Sequence, residues 1–329
     1  MLTFLVFRDW NIVHKKGLLP PVLWMHKYDV RPATLRCLQC EHWRARQEEL
    51  ETSWNHSEWL RRAYVDMVKM AVAGYTTRTL RTTTLKLFDR RIPLPYNESG
   101  RYYGSHWDTP YSDFTMVGMV RLNSLETVLD TVIQENIEGD FIECGVWRGG
   151  TAILARAILA SYNSDRVVYA ADSYRGLPPP GLTSDTAAWV KGDLTRVPLD
   201  EVKANFDRFH LLDDQVHFVV GFFNESLPVI RRRLHRLSVL RVDGDMYESC
   251  IDTLINLYDR LSIGGYAIID DWNVGACNQA VIDFRAALDI TEEFVAIDMN
   301  AVYWRKRVHA DYDLQHVHDI VKAPKMRQR

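Results

Sequence analysis

Between Gly139 and Gly150 the chain reads Gly-Asp-Phe-Ile-Glu-Cys-Gly-Val-Trp-Arg-Gly-Gly, and the apolar periodicity of Ala152, Ile153, Ala155, Ala157, Ile158 and Leu159 follows. Phe141 and Ile142 close a strand, Glu143 sits at its tip, and Gly145 and Gly149 let the backbone turn tightly into a helix. A strand, a glycine turn and a helix in that order commit this part of the chain to an α/β fold with a ligand at the strand's carboxyl end. A second apolar run, Arg166 to Asp172, also ends in an acid about twenty residues past the glycines, the place where ribose hydroxyls are held.

The glycine spacing separates cofactors. A dinucleotide fingerprint is G-x-G-x-x-G, whose glycines seat a pyrophosphate on the helix N-terminus. Here the pattern is Glu143-x-Gly145-x-x-x-Gly149. An acid at the strand tip repels a pyrophosphate and suits an ammonium, and S-adenosylmethionine carries both an ammonium and a sulfonium. The bland alternative is a close-packed strand-to-helix turn with no ligand, and Asp172 at its matching distance counts against it.

Three further apolar strands follow, His217 to Gly221, Val239 to Asp243 and Tyr266 to Asp270, with helical patterns between them. Alternation of this kind predicts a parallel sheet covered on both faces. Phe294 to Ile297 and Ala301 to Trp304 predict an antiparallel hairpin at the far edge, for seven strands in all. Upstream, Leu60, Ala63, Tyr64, Met67, Val68 and Ala71 share a helical face that stops at Gly74, and Leu122, Leu125, Val128, Leu129, Val132 and Ile133 form the next amphipathic helix. The aromatic, loop-like stretch from Asn97 to Met116 reads as a lid. The expected divisions are an extension over residues 1–58, a helical and loop cap over 59–121, the catalytic domain over 122–307 and a tail over 308–329.

Composition excludes several classes. A formal net charge of −3 gives no reason to expect nucleic acid as a partner, and Arg231-Arg232-Arg233 reads as the solvated end of a helix. No run approaches the length of a membrane span, and the first residues lack a signal-peptide layout. Five cysteines, three of them (Cys144, Cys250, Cys277) in apolar surroundings, suit reduced thiols, so the expected location is cytoplasmic. Cys37 and Cys40, near His42 and His56, lack the second ligand pair of a zinc site.

The chemistry is expected where Asp243-Gly244-Asp245 follows strand four and Asp270-Asp271 follows strand five. Asp243 and Asp245 are two apart, which in extended backbone turns both the same way. Acids packed so closely repel unless a positive charge lies between them, and a hard divalent cation such as Mg²⁺ with oxygen ligands meets that need. Helix capping by these aspartates is the alternative, though two pairs exceed what capping requires.

Five blocks carry a resemblance: Glu143 to Gly150, Asp172 to Pro178, Leu212 to Val216, Leu240 to Ser249 and Gly264 to Asp271. Together they are similar to the macrocin O-methyltransferase (TylF/NovP-type) family, over roughly Trp59 to Lys306. The resemblance implies a class I methyltransferase fold, Rossmann-like, and Mg²⁺-assisted methyl transfer from S-adenosylmethionine to a sugar hydroxyl of a small-molecule acceptor. It further implies that Glu143, Cys144, Gly145, Val146 and Trp147 line the methionine end of the cofactor, with Asp172 at the ribose and Ser173 near the adenine. Thr115-Met116 and Gly221-Phe222 would close over the cofactor. By the same resemblance Asp243, which would also border the cofactor, would join Asp270 and Asp271 as metal ligands, and Asp245 would be the general base. Met246 and Cys250 stand where the family pattern has Leu and Thr. The extension before Trp59 departs from the pattern and leaves acceptor identity and homo-oligomer formation open. Two competing readings remain: a nicotinamide-dependent sugar oxidoreductase, which has no use for four acids, and a non-catalytic scaffold that binds cofactor.

Overall fold

In a computed structural model, residues 56–74, 114–179, 196–310 and 312–326 are described. Most of the lid stretch (residues 97–113), the Cys37–Cys40 pair and most of the extension lie outside them. Seven strands form one mixed sheet: β1 (Asp140–Cys144), β2 (Val168–Asp172), β3 (Val216–Val220), β4 (Leu237–Val242), β5 (Leu261–Ile269), β6 (Val295–Ala296) and β7 (Val302–Arg305), in the order β3-β2-β1-β4-β5-β7-β6. The first five run parallel, and β7 pairs antiparallel with both β5 and β6, so the hairpin expected at the far edge is present. The fifth strand begins earlier than its apolar run suggested, at Leu261, through Gly264 and Gly265.

Alternation along the strands sorts the core into two layers. Phe141, Val168, Ala170, Val239 and Ile268 face one side, against α1 (His56–Val72), α2 (Met119–Gln134), α3 (Gly150–Ser161) and α4 (Leu199–Arg208). Ile142, Tyr169, Ala171, Leu240, Val242 and Ile269 face the other, against α5 (Phe223–Arg231), α6 (Tyr247–Leu257), α7 (Gly275–Ala287) and α8 (Leu314–Met326). Period-two alternation on a sheet buried on both faces gives each strand apolar residues on both sides, which is why the strands read as continuous apolar runs.

Two expectations need correction. In α1 the buried face is Val65, Val68, Lys69 and Val72, whereas Leu60, Tyr64 and Met67 are 48%, 38% and 71% exposed. Lys69 is buried because Asn123, Asp66 and Glu126 take its ammonium, so a charged residue displaced the apolar stripe from the core. The arginine run is not wholly solvated either: Arg231 donates to Asp259 Oδ2 at 2.5 Å and to the Asn256 carbonyl at 2.7 Å, and Arg232 and Arg233 alone are exposed.

The chain runs from β1 outward to β3, then returns to β4 on the opposite side of β1. That reversal opens a crevice beyond the carboxyl ends of β1 and β4, the usual ligand site of an open α/β sheet.

Candidate active site

The crevice holds a cavity of ≈ 340 Å³. Of the residues named from sequence, Met116, Gly145, Trp147, Asp172, Ser173, Phe222, Asp243 and Asp245 line it. Thr115, Glu143, Cys144, Val146, Gly221, Asp270 and Asp271 are not among the lining residues. Thr115 is buried, its Oγ1 3.3 Å from Thr151 Oγ1 and accepting from the Val117 N–H. The Cys144 side chain packs in the core layer beneath α6. Both therefore shape the loop from behind.

The glycine turn is built by close approach. Gly145 has φ +102° and lies so near the Asp243 carbonyl that a Cβ there would stand 1.7 Å from its oxygen. Its N–H donates to the Ala171 carbonyl at 2.9 Å, so the turn is stitched to β2 and pressed on β4 at once. Gly149, at φ +88°, starts α3 under Val202 and Phe206.

Asp172 organises this loop. Its Oδ2 accepts from the Val146 N–H at 2.8 Å and the Trp147 N–H at 3.3 Å, and its Oδ1 from the Tyr174 N–H at 2.8 Å. Burial pushes the Asp172 carboxyl up, and these backbone donors pull it back. Any ribose hydroxyl it takes joins a carboxylate that already holds the loop. Ser173 Oγ donates to the Gly176 carbonyl at 2.6 Å and fixes the following turn.

The acids meet as expected at the tips of the central strands, because β4 and β5 pair in register up to Val242 and Ile269. Asp243, Asp270 and Asp271 each bring one oxygen within 4.8 Å of the others. None of them caps a helix: α6 begins after Met246 and α7 after Val274, without a side-chain cap. Capping is thus removed as their explanation. The reason for Asp245's placement differs from the one expected, since Asp245 lies in the left-handed region at φ 56° and not in extended backbone. Its N–H donates to Asp271 Oδ2 at 2.8 Å, and the turn leaves the residue on the cavity wall.

What the sequence reading missed is the positive charge. Arg241, inside the apolar strand Leu237–Val242, sends Nη1 to Glu143 Oε1 at 2.5 Å and to Asp243 Oδ2 at 2.6 Å, and Nη2 to Asp270 Oδ1 at 2.5 Å. Arg121 of α2 donates to Asp270 Oδ2 and, through Nε, to Asp298 Oδ2 at 2.9 Å. A lone arginine within a buried strand was the signal available, since such a charge is almost never buried unpaired. Repulsion among the acids is therefore relieved by guanidinium groups, a source of positive charge other than the expected cation.

A surplus of negative charge remains, and it tests the fit of a cation. Asp271 is buried, and burial, then the charges of Asp245, Asp243 and Asp270, push its carboxyl well up. Burial also pushes Glu143 up to about 8 against the pull of Arg241, and its Oε2 is buried with no hydrogen-bond partner among the described residues. All-oxygen donors with excess charge fit a hard divalent cation at Asp243, Asp270 and Asp271. The unpartnered oxygen of Glu143 fits an ammonium donor.

Residues 58–306 match the macrocin O-methyltransferase (TylF) family. The 8-demethyl-8-(2,3-dimethoxy-alpha-L-rhamnosyl)-tetracenomycin-C 4'-O-methyltransferase of Streptomyces olivaceus is 41% identical over 221 residues, which span 65% of this chain and 83% of the relative. The mycinamicin III 3''-O-methyltransferase of Micromonospora griseorubida is 37% identical over 251 residues, 74% of this chain and 96% of the relative. The solved structure of the O-methyltransferase NovP superposes with a TM-score of 0.65 at 35% identity, covering 75% of this chain and all (100%) of that one. Between oxidoreductase, scaffold and methyltransferase the choice is thereby made: the chain belongs to the macrocin O-methyltransferase family and is an S-adenosylmethionine-dependent O-methyltransferase of the class I fold.

Proposed function

We propose that the enzyme methylates a sugar hydroxyl of a glycosylated natural product, with Mg²⁺ held at the acidic cluster. The observation that carries this reading is that Asp243 and Asp245 line the same cavity as Gly145 and Trp147, which sets acid chemistry beside the cofactor loop. The name of the Streptomyces olivaceus relative describes methylation of a rhamnosyl group, which supports a sugar as the acceptor.

In this reading Glu143 stands behind the cavity wall at the cofactor's ammonium end, and Gly145, Val146 and Trp147 shape the loop around it. Asp172 and Ser173 border the ribose and adenine, while Met116 and Phe222 close the walls. Asp243, Asp270 and Asp271 would hold the ion, which when bound would supply a Lewis acid beside the acceptor hydroxyl. Asp245 takes the hydroxyl proton as the sugar oxygen attacks the methyl carbon and the carbon–sulfur bond breaks. Its N–H tie to Asp271 Oδ2 holds the Asp245 backbone at the cavity wall, and alignment of donor and acceptor supplies much of the rate in an in-line displacement.

The test is a mass-spectrometric assay of the full-length protein with S-adenosylmethionine and a panel of glycosylated natural products beside their aglycones. Methylation confined to the sugar fragment is the expected result. Methylation of the aglycones at equal rate would overturn the acceptor assignment.

A further inference from the structure

Asp270 is held on both oxygens by cations. Arg241 Nη2 donates to Oδ1 at 2.5 Å from within the sheet, and Arg121 Nη1 donates to Oδ2 from α2. Arg121 is itself 5% exposed, and its Nη2 is buried without a hydrogen-bond partner among the described residues. Asp298 takes its Nε at 2.9 Å, and the other oxygen of Asp298 accepts the N–H groups of Asn300 and Ala301 at 2.7 and 2.9 Å. The turn before β7 is thus tied to α2 and, through it, to the acidic cluster.

Two roles are open to a cation in that place, and they predict opposite signs. A residue that merely orients a ligand carboxylate supports metal binding, and its loss weakens affinity. A full positive charge on a ligand oxygen also competes with the metal for that oxygen's charge, and its loss strengthens affinity. Orientation of Asp270 does not depend on Arg121 alone, because Arg241 holds Oδ1 and is anchored in turn by Glu143 and Asp243. At Oδ2 the charge that competes with a metal is that of Arg121.

We propose that Arg121 is a resident counter-cation of the acidic site: it occupies Asp270 Oδ2, lowers the affinity for a divalent cation, and holds the acids together when no ion is bound. Asp298 sets the strength of that competition, because it shares the guanidinium charge and draws it away from Asp270. The inference rests on reading Asp243, Asp270 and Asp271 as the metal ligands. Arg121 is a positioning residue in this account, acting on the ion only through Asp270.

The experiment is titration of the full-length protein with Mn²⁺, followed by electron paramagnetic resonance of the free ion, with no turnover required. Arg121→Gln is expected to bind Mn²⁺ about tenfold more tightly than the parent, the scale of removing one unit charge a few ångströms from the ion. Arg121→Lys keeps the charge and is expected to stay near the parent. Asp298→Asn frees the guanidinium to pair with Asp270 and is expected to bind several-fold more weakly. Unchanged or weaker binding in Arg121→Gln overturns the proposal, as does unchanged or tighter binding in Asp298→Asn. Should Arg121→Gln fail to fold, judged by circular dichroism, Asp298→Asn decides alone. A parent that binds no Mn²⁺ sinks the metal reading and the inference with it, whereas a parent that binds while both variants match it sinks the inference only.

Discussion

Gly145 shows how much can hang on one missing atom. Its spacing from Glu143 and Gly149 was legible in the sequence, because a strand tip followed by glycines has a recognisable rhythm. The reason for it was not, because the surface it meets is the Asp243 carbonyl, 98 residues away. With a Cβ placed 1.7 Å from that oxygen and φ at +102°, Gly145→Ala must push β1 from β4 or distort the loop. Strain and clash together are expected to cost about 3 kcal/mol or more, which lowers Tm by roughly 6–12 °C in a domain of this size. Gly275 is the control: nothing lies within 4 Å of its would-be Cβ at the start of α7. Differential scanning calorimetry should find Gly275→Ala at or slightly above the parent Tm, since a compatible Gly→Ala change stabilises by roughly 0.4–1 kcal/mol. Equal Tm values for the two variants would remove the close-approach argument. The same limit applies to the arginines of the site: Arg241 and Arg121 find their acids across the sheet, and pairings at long separation leave no periodicity to read.

At the scale of elements, strands were legible because apolar runs ending in acids recur, while the docking face of α1 was not. A hydrophobic stripe predicts burial only when nothing charged finds a better partner. Lys69 does, donating to Asn123 Oδ1 at 2.9 Å and to Glu126 of α2, and with it Val65, Val68 and Val72 turn inward. Removing Glu126 leaves the buried Lys69 with only the partly exposed Asp66 as its acid, so Glu126→Ala is expected to destabilise by up to about 3–5 kcal/mol. The double change Lys69→Met with Glu126→Met should cost markedly less than Glu126→Ala, because no charge is then stranded. Denaturant unfolding of both variants checks the pair, and equal losses would show that packing volume alone holds α1. The first turn of α1 adds a pH term. Hydrogen bonds from Arg61, opposed by burial and aided by Arg62, lower the Glu58 carboxyl to about 2. A depressed acid contributes stability above its ordinary value of 4.5 and loses it as pH falls toward about 2. Glu58 is partly exposed, its side chain at 32%, so screening limits that contribution to under about 1 kcal/mol. Hydrogen exchange in α1 should therefore accelerate modestly between about pH 4.5 and 2, and Glu58→Gln should abolish the change.

Across the whole molecule, the sheet brings residues from β1, β2, β4 and β5 to one rim, and the proposed mechanism divides the acids there into two jobs. Asp243, Asp270 and Asp271 cluster within 4.8 Å, whereas Asp245 stands one turn away on the cavity wall with its N–H spent on Asp271. A ligand and a base fail differently. Asp243→Asn is expected to weaken metal affinity, so that excess Mg²⁺ restores part of the methyl-transfer rate. Asp245→Asn should bind the ion and S-adenosylhomocysteine almost as the parent does and yet lose roughly 10²–10⁴-fold in rate, the scale of a positioned general base. The measurement is initial rate against Mg²⁺ concentration for the parent and both variants, with chelated enzyme as the starting point. A parent rate indifferent to chelation would take the ion out of the chemistry. Rescue of Asp245→Asn by added Mg²⁺ would make Asp245 a ligand, and the proton would then need another acceptor among the acids that line the same wall, of which Glu248 and Asp252 of α6 are the remaining two on that helix.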